Sequence, residues 1–159
     1  MNIYDADKQF ELTGLNLPPV IEPKGLYKPC LIEGKYLYLS GHVPLRDDNT
    51  LIVGRVGKEL TKDEGKTAAR QAGLTMLATI RKNLGSFNRI KRVIKILGLV
   101  NSVPEFEHHP YVINGCSELF ADVWGRDNGV GTRTAMGVGS LPDNIPVEIE
   151  AVFELFPDS

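Results

Sequence analysis

Along residues 147–155 apolar and charged positions alternate. Val147, Ile149, Ala151 and Phe153 fall on one face of an extended chain, and Glu148, Glu150, Val152 and Glu154 on the other. Residues 132–138 are also strand-like and carry Arg133. Between the two runs, Leu141-Pro142-Asp143-Asn144-Ile145-Pro146 has the proline and Asx content of a turn. The stretch 132–155 therefore predicts a closing hairpin that brings Arg133 back beside Glu148 and Glu150. The alternative is an edge hairpin whose charges simply face water.

The same patterns organise the rest of the chain. Residues 1–24, with Pro18, Pro19 and Pro23, predict an extended arm containing one short helical turn, packed on the body through Phe10, Leu12, Leu15 and Leu17. Residues 27–41 predict a hairpin around Glu33-Gly34-Lys35, ending at Ser40-Gly41-His42. A polar loop with Asp47, Asp48 and Asn49 leads to a short strand at 51–54. Thr61-Lys62-Asp63-Glu64 is a capping box, and Ala69, Ala72, Met76, Ile80 and Leu84 form one stripe of a helix that Gly85 stops. In residues 90–101 Val93, Lys95, Leu97 and Leu99 alternate with Ile94, Ile96, Gly98 and Val100, the pattern of a strand with at least one fully buried face. A second helix is expected over 111–124, with Val112, Leu119, Phe120 and Val123 inward, then a loop over 125–131.

Strands interspersed with two helices predict an α+β domain over 25–159, a single mixed sheet with both helices on one face. The other face has Tyr, Leu, Ile and Val on several strands and no helix left to cover it, so oligomerisation is expected.

Composition narrows the picture. A chain of 159 residues with a net charge of −2 is one ordinary domain and carries no general electrostatic footprint for nucleic acid or anionic membrane. Cys30 and Cys116 have neither metal-ligand spacing nor a disulfide framework, and are expected as buried thiols in a reducing compartment. No apolar run is long enough to span a bilayer and the start lacks a leader pattern, so a cytoplasmic protein is expected.

Of the single residues, His42 past a strand end could act as an acid or base or be a satisfied structural histidine. His108-His109 lacks partners at metal-ligand spacing. Tyr27 could reach a ligand or merely pack, and Asn114 reads most simply as a helix cap. Among the motifs there is no phosphate loop and no nucleophile elbow.

Two longer stretches carry more. TRTAMGVGSLPDNIPVEIEA resembles the C-terminal signature of the RidA/YjgF family of reactive-intermediate deaminases, and YKPCLIEGKYLYLSGHVP resembles the family's N-terminal hairpin. The likeness runs from about Tyr27 to Phe153. It implies a chorismate mutase-like fold assembled as a homotrimer with a cleft at each subunit boundary. It also implies hydrolysis of enamines or imines such as 2-aminoacrylate or 2-iminopropanoate to 2-oxo acids and ammonia, with no metal or organic cofactor. By resemblance, Arg133 pairs with the substrate carboxylate, Glu148 directs water and shuttles protons, Ser40 and Gly41 contact ligand, Tyr27 closes the pocket and Asn114 lies near it.

The chain departs from the family in having Ala135 where many members carry a cysteine, and in its longer arm and loops, which mark a longer-chain branch. A metabolite-binding or regulatory role without turnover is the alternative. The family's older label of ribonuclease or translation inhibitor is the third reading; the acidic chain, without an RNA-binding motif or catalytic histidine pair, argues against it.

Overall fold

The computed structural model describes residues 4–158, so the first three residues of the arm and Ser159 lie outside it. Its elements are α1 (Ala6–Leu12), β1 (Cys30–Glu33), β2 (Tyr36–His42), α2 (Lys62–Leu84), β3 (Ile90–Asn101), α3 (His109–Gly129), β4 (Thr132–Val138) and β5 (Val147–Leu155). The strands form one mixed sheet in the order β1-β2-β5-β3-β4.

The closing hairpin does not form. β4 pairs in parallel with β3, and β5 pairs antiparallel with β3 on its other side, so β3 separates the two strands. A parallel pair needs a crossover, and α3 supplies it. Residues 139–146, with a 3-10 turn at Pro142–Asn144, then carry the chain past the end of β3, a gap of roughly 10 Å.

α2 starts as its sequence predicts. The Thr61 hydroxyl accepts from the Glu64 amide at 3.1 Å, and the Glu64 carboxylate accepts from the Thr61 amide at 2.7 Å. Gly85 ends it at φ 79°. α2 and α3 pack side by side against the sheet face bearing Leu37, Leu39, Ile96, Ile149, Ala151 and Phe153, all buried. The two helices touch backbone to backbone at Gly115, where a Cβ would stand 2.0 Å from the Lys66 carbonyl oxygen.

Three expectations change. Residues 51–54 make no strand: Leu51 forms a single bridge to Leu45, and the Gly54 amide donates to the Asn144 carbonyl at 2.8 Å, tying this loop to the 142–144 turn. α3 begins at His109 and reaches Gly129, breaking at Gly125 (φ 76°, ψ 165°) and then resuming, so most of the predicted 125–131 loop is helical. Asn114 consequently lies inside the helix and caps nothing.

The N-terminal segment is held by named contacts. Asp5 caps α1, and Asp7 takes an ion pair from Arg81 at 2.8 Å and the Phe87 amide at 2.8 Å. Phe10 packs edge-on against Phe87, which meets Trp124, itself packed with Phe120 and Phe153. The Trp124 indole donates to the Phe87 carbonyl at 3.0 Å, leaving this aromatic column without an unpaired polar group on that ring.

The strand register puts Tyr38, Val152, Leu97, Leu99 and Met136 on the opposite face, which none of the described helices covers. Tyr38 and Met136 are exposed there. No helix among the described residues is long and apolar enough to cross a membrane.

Candidate functional site

At the end of β2 the ladder to β5 slips by one residue between Leu39 and His42. Such a bulge turns backbone out of the regular pleat. His42 anchors it from behind: its Nδ1–H donates to the Ser40 carbonyl at 2.6 Å, and its Nε2 faces the Thr79 hydroxyl at 2.8 Å. A carbonyl can only accept, so the ring is the Nδ1–H tautomer and the Thr79 hydroxyl donates to Nε2. Burial holds the imidazole below its ordinary pKa, against the pull of the Ser40 carbonyl. His42 is a neutral structural residue.

The bulge brings Gly41 against Glu148 on β5. A Cβ at Gly41 would lie 2.7 Å from Glu148 Oε1 and 2.9 Å from its Cγ and Cδ, so the glycine makes room for this side chain. Glu148 is half-buried, and burial, with Glu150 adding to it, holds its carboxyl above the usual carboxylate range. Among the described residues neither Glu148 nor Glu150 has an ion-pair partner. The Ser40 hydroxyl donates to the Lys28 carbonyl at 2.5 Å and fixes the approach of the 27–29 segment.

Tyr27, Ser40, Gly41, Glu148 and Glu150 all line one cleft of about 1170 Å³. Its rim comes from outside the sheet: residues 20–25 of the arm, the 43–53 loop and the turn at Pro142–Asn144. The arm residues in this rim had no signal in the sequence pattern beyond their prolines.

Arg133 and Asn114 are elsewhere. Arg133 pairs across from Ile96, as Ala151 does from the other side, and both of those face the helices. Glu148 pairs with Leu99 and points the opposite way. Within one protomer Arg133 and Glu148 therefore stand on opposite sheet faces, and the expected side-by-side placement is corrected by the insertion of β3. Arg133 Nη1 donates to Asn114 Oδ1 at 2.7 Å and to the Ser117 hydroxyl at 3.1 Å, and Nη2 to the Pro110 carbonyl at 3.4 Å. No carboxylate among the described residues pairs with this guanidinium. Ser117 was missed, yet its spacing of three from Asn114 puts both on one helix face once the helix is known to run through them.

Half of the candidate chemistry is thus a half-buried Glu148 beside the exposed Glu150 in a cleft, and half an oriented cation on the edge strand β4. None of the three has an ion-pair partner among the described residues. Among the described residues no three His, Cys, Asp or Glu side chains gather to hold a metal ion. His109 instead meets the Ser102 hydroxyl at 3.2 Å. Cys116 is buried in the core and its thiol is pushed up to about 12 by burial, while Cys30, only partly buried, is raised for the same reason.

Comparison with known proteins adds the family. The family described as "YjgF/chorismate_mutase-like, putative endoribonuclease" matches residues 7–149. Protein TCP17 of Trypanosoma cruzi is 37% identical over 142 residues, which is 89% of this chain and 89% of that protein. Among solved structures, the Agrobacterium tumefaciens protein Atu1372, of unknown function, is similar at 36% identity and a TM-score of 0.85, over 95% of this chain and 94% of that one. A "putative endoribonuclease" from Shewanella oneidensis is similar at 28% identity and a TM-score of 0.90, over 95% and 99% respectively.

Proposed function

The chain belongs to the YjgF/chorismate mutase-like family, and from that premise we propose that it hydrolyses reactive 2-imino acids and their enamine tautomers to 2-oxo acids and ammonia. The observation that carries the proposal is Glu148: a carboxylate with a raised pKa, pressed on Gly41 in an open cleft, with no cation of its own. The missing cation is Arg133 of a neighbouring subunit. A homotrimer that buries the uncovered sheet face would supply it at each boundary, and cytoplasmic residence fits the reactivity of such substrates.

In that site the Arg133 guanidinium, oriented by Asn114 and Ser117, binds the substrate carboxylate with its remaining N–H groups. As water adds to the carbon of the protonated imine, the Glu148 carboxylate takes one proton from it and a neutral carbinolamine forms. Glu148 passes that proton to nitrogen; as the C–N bond breaks, the hydroxyl gives its proton to Glu148, the 2-oxo acid carbonyl forms, and ammonia carries the proton away as ammonium. An enamine first takes a proton at carbon from protonated Glu148, which gives the same protonated imine and leaves the carboxylate as base. Tyr27 and the Ser40-Gly41 bulge shape the pocket. Orientation and proton transfer of this kind are worth ~100- to 10,000-fold.

The test is release of 2-oxo acid from iminopropanoate generated in place by an amino acid oxidase. Arg133→Ala and Glu148→Gln are each expected to lose at least ~100-fold in turnover. Wild-type turnover should fall on the acid side at a pH above that of an ordinary glutamate, because the base form is lost as pH drops through the raised pKa. The sign for stability is the reverse. The fold favours the protonated acid, so ionising Glu148 costs stability, a cost absent below the unfolded-state pKa and complete above the folded one. Glu148→Gln should therefore melt no lower than wild type at pH 8 while being inactive. Gly41→Ala should also cost ~100-fold in turnover by displacing the carboxylate, with little change in melting temperature, since the clash is with a flexible side chain.

Inert wild-type protein that still binds a 2-oxo acid would favour the non-catalytic binding reading instead. The ribonuclease name attached to the Shewanella relative is disfavoured here by a cleft lined by four carboxylates, Glu22, Asp143, Glu148 and Glu150, against one lysine, Lys24, a balance that repels a phosphate backbone.

A further inference from the structure

The Glu148 cleft has a polar floor and a mixed rim, where Glu22, Lys24, Asn49 and Asp143 stand among apolar side chains. Ser40, Glu148 and Glu150 gather at the bulge, while Val20, Ile21 and Pro23 of the arm face the same space as Leu51, Val53 and Ile145. The arm is seated there deliberately by contacts at both ends. Leu15 and Leu17 pack on the core, Lys82 of α2 pairs with Glu22 at 3.3 Å, and Lys24 pairs with Asp143 of the facing turn at 3.3 Å. Val53 is 52% exposed, so core packing does not account for an apolar residue at this rim. A three-carbon substrate, with a single methyl group beyond its reacting carbon, would leave most of this apolar wall in contact with water.

Resting on the hydrolytic reading above, we propose that the substrates of this site are 2-imino acids with large apolar side chains, branched aliphatic or aromatic, and that arm residues 20–25 are the specificity wall. The imine carbon sits over Glu148 and the side chain lies along Val20, Ile21 and Val53. The reaction is unchanged: water adds, ammonia leaves, and no oxidant or further reactant is consumed. Each methylene that the wall shields from water is worth roughly a fourfold gain in binding, so three additional carbons carry a gain of at least about tenfold even with incomplete burial.

Two measurements separate this inference from the reading it rests on. The first is binding of the stable products, pyruvate, 4-methyl-2-oxopentanoate and phenylpyruvate, to the full-length protein by calorimetry. The larger acids are expected to bind at least about tenfold more tightly than pyruvate, and Val53→Asn and Ile21→Asn, polar without added charge, should reduce that ratio severalfold with little effect on pyruvate. The exposure of Val53 makes its variant safe for folding, and unchanged pyruvate binding reports on both. The second is hydrolysis of imines generated in place from alanine, leucine and phenylalanine. The expected order in kcat/KM follows the binding order. A binding ladder with no hydrolysis of any imine sinks the hydrolytic reading and leaves the ligand class standing. Equal binding of all three acids, binding of none, or a ladder that the wall variants leave intact overturns the inference, whatever the turnover.

Discussion

Mixing Arg133→Ala protomers with Glu148→Gln protomers is expected to restore about a quarter of wild-type turnover, although each variant alone has almost none. The reason lies in the sheet. β3 separates the strand of Arg133 from that of Glu148, and the two side chains leave opposite faces. One protomer cannot place both on one substrate. In a closed ring where each site takes its arginine from one subunit and its glutamate from the next, an equal random mixture unites both native side chains at about one boundary in four. The experiment is co-refolding of the two variants, isolation by size of the proposed trimer, and assay on iminopropanoate. Trimers of mixed composition with no recovered activity would show that the two residues never share a site.

The largest stability effect is expected from Gly115→Ala, a loss of about 3 kcal/mol or more by urea denaturation. The new Cβ would stand 2.0 Å from the Lys66 carbonyl oxygen and 3.0 Å from the Arg70 amide nitrogen, both backbone atoms of α2. No rotamer relieves that contact. α2 and α3 must move apart, loosening the layer of Ala69, Ala72, Cys116 and Leu119 that they bury between them and the sheet. Gly139→Ala is the control: nothing lies within 4 Å of its Cβ, and a change within about 0.5 kcal/mol is expected. A Gly115→Ala midpoint indistinguishable from that control would mean that the helices are not in backbone contact.

Local chemistry made much of this molecule legible. The capping box at Thr61 and the stop at Gly85 bound α2 as expected, because both ends are decided by side chains and dihedrals within a turn of the boundary. Gly125 correctly signalled a break in α3, but not that the chain would turn and resume helix, which depends on Gly129 fitting against the Phe120 carbonyl. The partner of a strand is not a local property. Residues 132–155 have a turn sequence at 141–146 that suits a hairpin, yet β3 takes the place between β4 and β5, a pairing that no local pattern states.

The same limit explains the site. That a strand would end at Gly41 was readable from the pattern; that the Glu148 side chain would press on it required the bulge at β2. Asn114 was expected as a helix cap and lies inside the helix instead. Its role as acceptor for Arg133 required knowing that the helix starts at His109, with Pro110 at its first turn.

The position after Thr134 has one more consequence. With Ala135 two residues beyond Arg133, Cys116 sealed in the core and raised to about 12, and Cys30 raised as well, the chain offers no ready thiolate to its own cleft. The imine tautomer is electrophilic at the carbon that bears nitrogen, where a thiolate would compete with water. On the proposed reading, water therefore meets no ready thiolate from this chain at that carbon, and no sulfur adduct interrupts turnover.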